Sequence, residues 1–164
     1  MPIPDSRTIF WLIAAGCIGL MGVALFMQHV MDLQPCPLCI LQRIMVIATG
    51  VVALVAAIHH PAETGVKVYG GMTLATAVTG GGIAIRHLWL QSLPADEVPA
   101  CGASLDYLLD VFPLTDVLTM VLLGDGSCAE VLWTFMGLSI PGWTLVAFTG
   151  LALIAIFQMV RPRP

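Results

Sequence analysis

The sequence predicts an all-α membrane protein, a four-helix transmembrane bundle with a long outer loop that carries a short amphipathic helix. Of the 164 residues, 59% are hydrophobic and only 10% are charged, and the apolar residues fall into four long runs. Soluble domains have about 25% charged residues, so this chain lacks the polar side chains that a soluble surface needs. We expect one integral membrane domain, residues 1–164. The net charge of −4 provides no basic surface for nucleic acid.

Each run has the roughly 20 residues that a helix needs to cross the hydrocarbon core of a bilayer. The predicted spans are residues 8–30, 39–58, 69–90 and 142–160. The predicted loops on the outer side are residues 31–38 and 91–140. Ser139 is the predicted N-cap of the fourth span, and Pro141 suits its first turn.

The basic residues near the ends of the spans predict the orientation of the bundle. Four of the six basic residues fall on one side of a four-span chain: Arg7, Lys67, Arg161 and Arg163. We therefore expect both termini to be cytoplasmic. The segment 91–140 has several acidic residues and no Lys or Arg, and we expect it outside the cytoplasm.

The apolar stretch 105–123 is the one that would change this topology if it spanned the membrane. It contains Asp106, Asp110 and Asp116, and each charge at the centre of a span costs about 2.5–3.5 kcal/mol. A fifth span would also place the termini on opposite sides. We expect one or two short amphipathic helices on the membrane surface, with an ordinary loop as the alternative.

The stretch QPCPLCILQR places Cys36 and Cys39 in a CxxC pair before the second apolar run. Such a pair can be a redox dithiol, half of a zinc site or a haem attachment. Haem attachment requires His after the second Cys, where this chain has Ile40. Cys101 and Cys128 do not form a second CxxC, so zinc is weakly supported and we expect no metal. Spacing alone leaves a redox pair and a structural disulfide both open.

The position of Cys39 favours redox chemistry. It lies at the predicted N-terminus of the second span, where the helix dipole stabilises an anion. Arg43 follows four residues later on the same helix face, and both effects favour a reactive thiolate. The alternative for Arg43 is an anchor that reaches the lipid headgroups. Cys17 lies deep in the first span, and we expect it to pack as a small apolar residue.

The other cysteine pair, Cys101 and Cys128, brackets the amphipathic stretch, within VPACGAS and GDGSCAE. We expect a disulfide between them to be exposed and mobile, and exposed disulfides tend to be labile or catalytic. Two dithiol pairs on one face of a membrane would suit electron transfer from a soluble protein to an acceptor in the lipid.

Three stretches together resemble the bacterial disulfide-bond formation protein B family, DsbB, in their order and spacing: MQHVMDLQPCPLCILQR, RHLWLQSLP and CAEVLWTFMGLSIPGW. The resemblance implies a thiol:quinone oxidoreductase of the bacterial inner membrane with its redox loops in the periplasm. Such an enzyme reoxidises DsbA, a soluble thioredoxin-fold oxidase, and passes two electrons to a membrane quinone, either ubiquinone or menaquinone.

The resemblance also implies a role for each cysteine of the two pairs. Cys101 would form the mixed disulfide with the DsbA-like partner. Cys128 would then exchange with Cys36, and Cys39 would be left as the thiolate that faces the quinone.

Three further residues match family positions near the quinone: Arg43, His87 and Gln91. Arg43 would stabilise negative charge on the quinone oxygens, and His87 would assist proton transfer. Two alternatives are a quinone reductase like vitamin K epoxide reductase and a non-enzymatic membrane scaffold stapled by two disulfides.

Overall fold

The computed structural model describes residues 5–94, 96–100 and 105–161. The described chain contains four long helices: α1 (Ser6–His29), α2 (Pro37–His59), α3 (Glu63–Gln91) and α7 (Ile140–Val160). Between α3 and α7 lie five short elements: α4 (Leu105–Val111), α5 (Leu114–Leu123), α6 (Gly126–Ala129), β1 (Thr134–Phe135) and β2 (Leu138–Ser139). The long helices are the ones with the length and hydropathy to cross a membrane, which confirms the predicted all-α, four-helix membrane fold.

All four long helices begin earlier than the predicted spans, α3 by the largest margin, because a helix can extend beyond its apolar run. The helix α3 starts at Glu63 rather than near residue 69. Its first turn is held by an ion pair between Glu63 and Lys67, with 2.8 Å between the charged atoms, at the i,i+4 spacing that stabilises helices. The helix α2 starts at Pro37, a residue whose fixed φ suits the first helical position.

The bundle is built by packing α1 on α2, α2 on α3, and α3 on α7. Small residues let the helices approach closely. A Cβ atom added to Gly80 would lie 2.3 Å from the Phe148 ring, and one added to Gly50 would lie 2.9 Å from Cys17 Cβ. Cys17 is thus buried in the core between α1 and α2, as expected for a packing residue.

Polar contacts close the end of the bundle that lies away from the CxxC pair. The Gln158 side chain on α7 donates a hydrogen bond to the Ser6 carbonyl at 3.0 Å. Arg7 donates from Nε to the Ala57 carbonyl at 3.1 Å. The first turn of α1 is therefore joined both to α2 and to α7.

The stretch 105–123 forms the two short helices α4 and α5 rather than a fifth span. Val117 and Val121 form the buried face of α5. Arg86 on α3 donates to the carbonyls of Leu122 and Leu123, at 3.3 and 2.9 Å. Since those carbonyls lie at the C-terminus of α5, a cation there also complements the helix dipole.

A β-hairpin that was not expected from the sequence precedes α7. Its strands pair antiparallel, Thr134 with Ser139 and Phe135 with Leu138. Met136 and Gly137 make the turn with φ of 52° and 81°, as in the primed turns that join two-residue hairpins. The hairpin lies over the CxxC end of the bundle.

Candidate redox site

The two CxxC sulfurs meet at the N-terminus of α2. Cys36 is the N-cap residue, and its sulfur accepts a hydrogen bond from the Cys39 backbone N–H at 3.4 Å. The two Sγ atoms are 3.0 Å apart, and both residues are free thiols. Because α2 starts at Pro37, the end of the helix dipole acts directly on Cys36, and not on Cys39 alone as the sequence suggested.

A buried histidine lies on the other side of Cys36. His87 on α3 is only 2% exposed, and its Nε2 is 3.7 Å from Cys36 Sγ. Its Nδ1 is 3.1 Å from the Gln42 side-chain nitrogen. The Thr144 hydroxyl on α7 donates a hydrogen bond to Gln42 Oε1. A polar chain therefore runs through the bundle from α7 to the first cysteine.

Sequence reasoning missed Gln42 and Thr144. Gln42 is 3% exposed within an apolar helix, and an amide in a membrane span is a signal that a polar partner faces it. That signal was present in the sequence and identifies the residue, although not its partner. Thr144 carries no comparable signal, because a threonine in a membrane helix commonly bonds its own backbone.

Cys128 packs directly against Cys36. It lies in α6, the short helix capped by Asp125, whose carboxylate accepts from the Ser127 N–H at 3.0 Å. A hydrogen bond with the Cys36 side chain, together with burial, raises the pKa of the Cys128 thiol well above its usual range. Cys128 is 0% exposed, so the expected exposure of this pair is wrong at Cys128. The segment folds onto the ends of α2 and α3 and excludes water.

Gly124 is the turn that directs α6 onto the bundle. Its φ is +78° and its ψ is 161°, a backbone region that is essentially restricted to glycine. A Cβ atom there would lie 2.2 Å from Leu90 Cδ1 and 3.6 Å from Leu38 Cδ1. Since Leu38 and Leu90 are fully buried, the backbone passes directly over the apolar layer that supports Cys36 and Cys128.

Cys101 lies outside the described residues, so its predicted pairing with Cys128 stays a prediction. The neighbouring chain is nevertheless close to α6. The Ala100 carbonyl accepts a hydrogen bond from the Gly126 N–H at 3.3 Å.

A cavity of ≈ 460 Å³ opens beside Cys39. Its walls come from α1, α2, α7 and the hairpin, and no described residue of α3 lines it. Cys39, Arg43 and Trp133 lie in its wall among mainly apolar side chains. Val23 and Val146, also in the wall, are more than half exposed on the outer faces of α1 and α7. The cavity therefore reaches the surface that contacts lipid.

Arg43 is fixed at the cavity wall by α1. Its guanidinium donates to Gln28 Oε1 and to the Ala24 carbonyl, the latter at 3.2 Å. Within the described chain these bonds use two of the five N–H donors of a guanidinium. The anchor holds the positive charge near Cys39 and leaves donors for a ligand.

His87 and Gln91 do not line the large cavity but a smaller one, of ≈ 20 Å³, together with Cys36 and Cys39. Gln91 Oε1 accepts from the Ser139 hydroxyl at 2.8 Å, and its nitrogen donates to the Glu130 carbonyl at 3.4 Å. Ser139 is the N-cap of α7, as predicted, but its hydroxyl bonds Gln91 rather than its own helix. Gln91 thus fastens the segment after Cys128 to α3.

Cys36 and Cys39 lie at the start of a membrane helix, and Cys128 and His87 lie beside Cys36. This arrangement defines a membrane thiol–disulfide oxidoreductase. The family model described as disulfide bond formation protein DsbB matches residues 6–158. The chain belongs to the DsbB family, and it is an enzyme that forms disulfide bonds in proteins.

Proteins named disulfide bond formation protein B are similar over nearly the full length. The one from Saccharophagus degradans is 53% identical over 159 residues, which cover 97% of this chain and 96% of the relative. The one from Hahella chejuensis is 54% identical over 156 residues, 95% of this chain and 94% of the relative. The one from Stutzerimonas stutzeri is 45% identical over 161 residues, 98% of this chain and 99% of the relative.

Proposed function

We propose that this enzyme reoxidises a DsbA-like thioredoxin-fold oxidase in the bacterial periplasm and passes the two electrons to a quinone in the inner membrane. The observation that carries the proposal is the line of three thiols, Cys128 on Cys36 and Cys36 on Cys39, that ends at a cavity open to lipid. A structural disulfide would need neither the third thiol nor the cavity.

The first part of the relay is thiol–disulfide exchange. A partner thiolate attacks Cys101 of the Cys101–Cys128 disulfide, and Cys128 leaves as a thiolate. Cys128 then attacks Cys36, so that the Cys36–Cys128 bond forms, the Cys36–Cys39 bond breaks, and Cys39 leaves as a thiolate. The N-cap position of Cys36 and the close approach of Cys128 support this order, because attack requires contact between the two sulfurs.

The second part of the relay uses the large cavity. Its volume of ≈ 460 Å³ and apolar wall suit a substituted aromatic ring, since small-molecule pockets typically measure about 300–1,000 Å³. A bound quinone accepts two electrons and two protons. Cys39 supplies the electron pair from the cavity wall, and Arg43 stabilises negative charge that develops on an oxygen there. The net reaction oxidises one partner dithiol to a disulfide and reduces one quinone to quinol.

The other predicted quinone residues support this reaction from behind the cysteines. His87 contacts Cys36 and is positioned to take the thiol proton or return it. Gln91 holds the chain that follows Cys128. We therefore assign proton handling to His87 and positioning to Gln91.

The distribution of basic residues supports the proposed orientation. Arg7, Lys67 and Arg161 lie at or near the helix ends that face away from the CxxC pair, and positive residues favour the cytoplasmic side. Arg163 lies outside the described residues. With that end in the cytoplasm, the four redox cysteines are on the periplasmic side, where disulfides persist.

The test uses purified protein in detergent, a reduced thioredoxin-fold dithiol and a soluble quinone, with quinone absorbance and partner thiols followed together. We expect one quinone reduced per partner disulfide formed, and no turnover with Cys39→Ser. Cys17→Ala is the matched control and should turn over normally. Turnover in Cys39→Ser would exclude the relay. Oxidation of the partner without quinone would show that quinone is not the electron acceptor.

A further inference from the structure

The reduced CxxC pair and His87 form a compact group of soft ligands. Cys36 Sγ, Cys39 Sγ and a ring nitrogen of His87 all lie within 4.8 Å of one another. The two sulfurs are 3.0 Å apart, and Cys36 Sγ is 3.7 Å from His87 Nε2. Tetrahedral zinc places two thiolate sulfurs about 3.8 Å apart, and a sulfur and an imidazole nitrogen about 3.6 Å apart. The distance from Cys36 Sγ to His87 Nε2 already fits this geometry, and the two sulfurs would move apart by about 0.8 Å to reach it.

A small cavity adjoins these atoms. Its volume is ≈ 20 Å³, and Cys36, Cys39 and His87 all lie in its wall. About 10–15 Å³ of such volume accommodates one water molecule. A metal ion held by three protein ligands there has space for one water in the fourth coordination position.

Gln42 lies where a residue that orients a metal-bound histidine would lie. A metal-bound imidazole donates its other N–H to a fixed acceptor, which orients the ring. The Gln42 amide lies at His87 Nδ1, and rotating the amide by 180° presents its oxygen there. The amide nitrogen then faces the Thr144 hydroxyl, which donates to the Pro141 carbonyl at 2.9 Å. In this arrangement Gln42, His87 and Thr144 each keep a hydrogen-bond partner.

We propose that the reduced enzyme binds one soft divalent cation of the zinc class through Cys36, Cys39 and His87, and that the bound ion inhibits disulfide formation. Two thiolates and a neutral imidazole balance the charge of the ion, so no net charge is buried. Binding releases two thiol protons and transfers no electrons. A Cys36–Cys39 disulfide removes both thiolates, so the site exists only in the reduced protein.

This proposal needs a reduced CxxC but neither quinone nor partner protein, so it can fail or succeed independently of the proposed relay. The test titrates Co²⁺ into reduced protein in detergent and follows the thiolate-to-cobalt absorption, and Zn²⁺ is then added to displace Co²⁺. We expect one Co²⁺ per reduced protein, displaced by one Zn²⁺, and none in the oxidised protein. Equal binding by oxidised protein would overturn the proposal.

Variants assign the ligands. Cys39→Ser and His87→Gln should each weaken binding by more than about tenfold, and Gln42→Leu by about 10–100-fold. His60→Gln, at the far end of the bundle, is the matched control and should bind normally. The double variant Cys101→Ser/Cys128→Ser should retain the site. Loss of binding in that double variant, or unchanged binding in both Cys39→Ser and His87→Gln, would place the metal elsewhere and refute the assignment.

Discussion

Cys128 lies in the same buried cluster as Cys36 at the CxxC end of the bundle and is completely shielded from solvent. A thiol held in this way is a poor nucleophile until its proton is removed. In the proposed relay it becomes reactive when it leaves the disulfide with Cys101 as a thiolate, at which point Cys36 is close by. The contact therefore favours exchange between the two cysteine pairs over reaction with outside thiols.

Gly124 should control how readily that contact forms. Gly124→Ala places a Cβ atom in a backbone conformation that is essentially restricted to glycine, and that atom would lie too close to Leu90. Together these effects cost about 1–3 kcal/mol. In a Cys39→Ser/Cys101→Ser background, oxidative formation of the Cys36–Cys128 disulfide should slow by about tenfold or more. Peptide mapping under non-reducing conditions measures it.

Gly137→Ala is the control for Gly124. Gly137 also has positive φ but has open space around it, so Gly137→Ala tests a positive φ without the contact with Leu90. It should leave the rate of Cys36–Cys128 bond formation nearly unchanged. Equal slowing by the two variants would mean that Gly124 has no specific role at the redox site.

Arg43→Ala should raise the apparent KM for quinone by about 10–100-fold, which corresponds to losing a charge-assisted hydrogen bond worth about 1.5–3 kcal/mol. Both disulfides should still form, because Arg43 is bonded to α1 and lies outside the chain of sulfurs. Arg43→Lys keeps the charge but lacks the planar guanidinium, so its apparent KM for quinone should lie between those of the wild type and Arg43→Ala. An unchanged KM in Arg43→Ala would leave only its role as an anchor between α1 and α2.

Gln42→Leu should lower kcat at saturating quinone by about tenfold, because His87 loses the hydrogen bond that orients its ring toward Cys36. Gln42→Glu keeps the shape of the side chain but loses the N–H group that faces His87 Nδ1, so it should not restore the activity. Thr144→Val should have a smaller effect of the same kind.

Thr149→Val is the matched control on α7, since Thr149 is exposed and, among the described residues, its hydroxyl bonds only the Leu145 carbonyl of its own helix. It should be fully active. Full activity of Gln42→Leu would show that the His87 ring needs no support from this amide.

Gly80→Ala should destabilise the bundle by about 1–3 kcal/mol through overpacking, because the new Cβ would meet the fully buried Phe148 ring. A lowered thermal unfolding temperature in detergent measures the effect. Gly82→Ala is the control in the same helix, since its Cβ would enter open space. If both variants unfold at the wild-type temperature, close packing between α3 and α7 does not depend on Gly80.

The sequence by itself determined the number of spans, the place of the CxxC pair and the exclusion of a fifth span. These features depend on local properties: the length of an apolar run, the cost of buried charge and the fixed φ of Pro37. The sequence also pointed to Arg43, because a charged group in a membrane helix is costly, and the resemblance to the DsbB family pointed to His87.

Only the tertiary structure decided that Cys128 is buried against Cys36, that His87 is held by Gln42, and that Gln91 supports a loop rather than the large cavity. Each of these relationships joins residues far apart in the chain, and each depends on how helices rotate and where a turn such as Gly124 directs the backbone. Apolar periodicity carries little information about rotation in a helix that is apolar on every side. Packing between small residues such as Gly80 fixes that rotation, and with it the site.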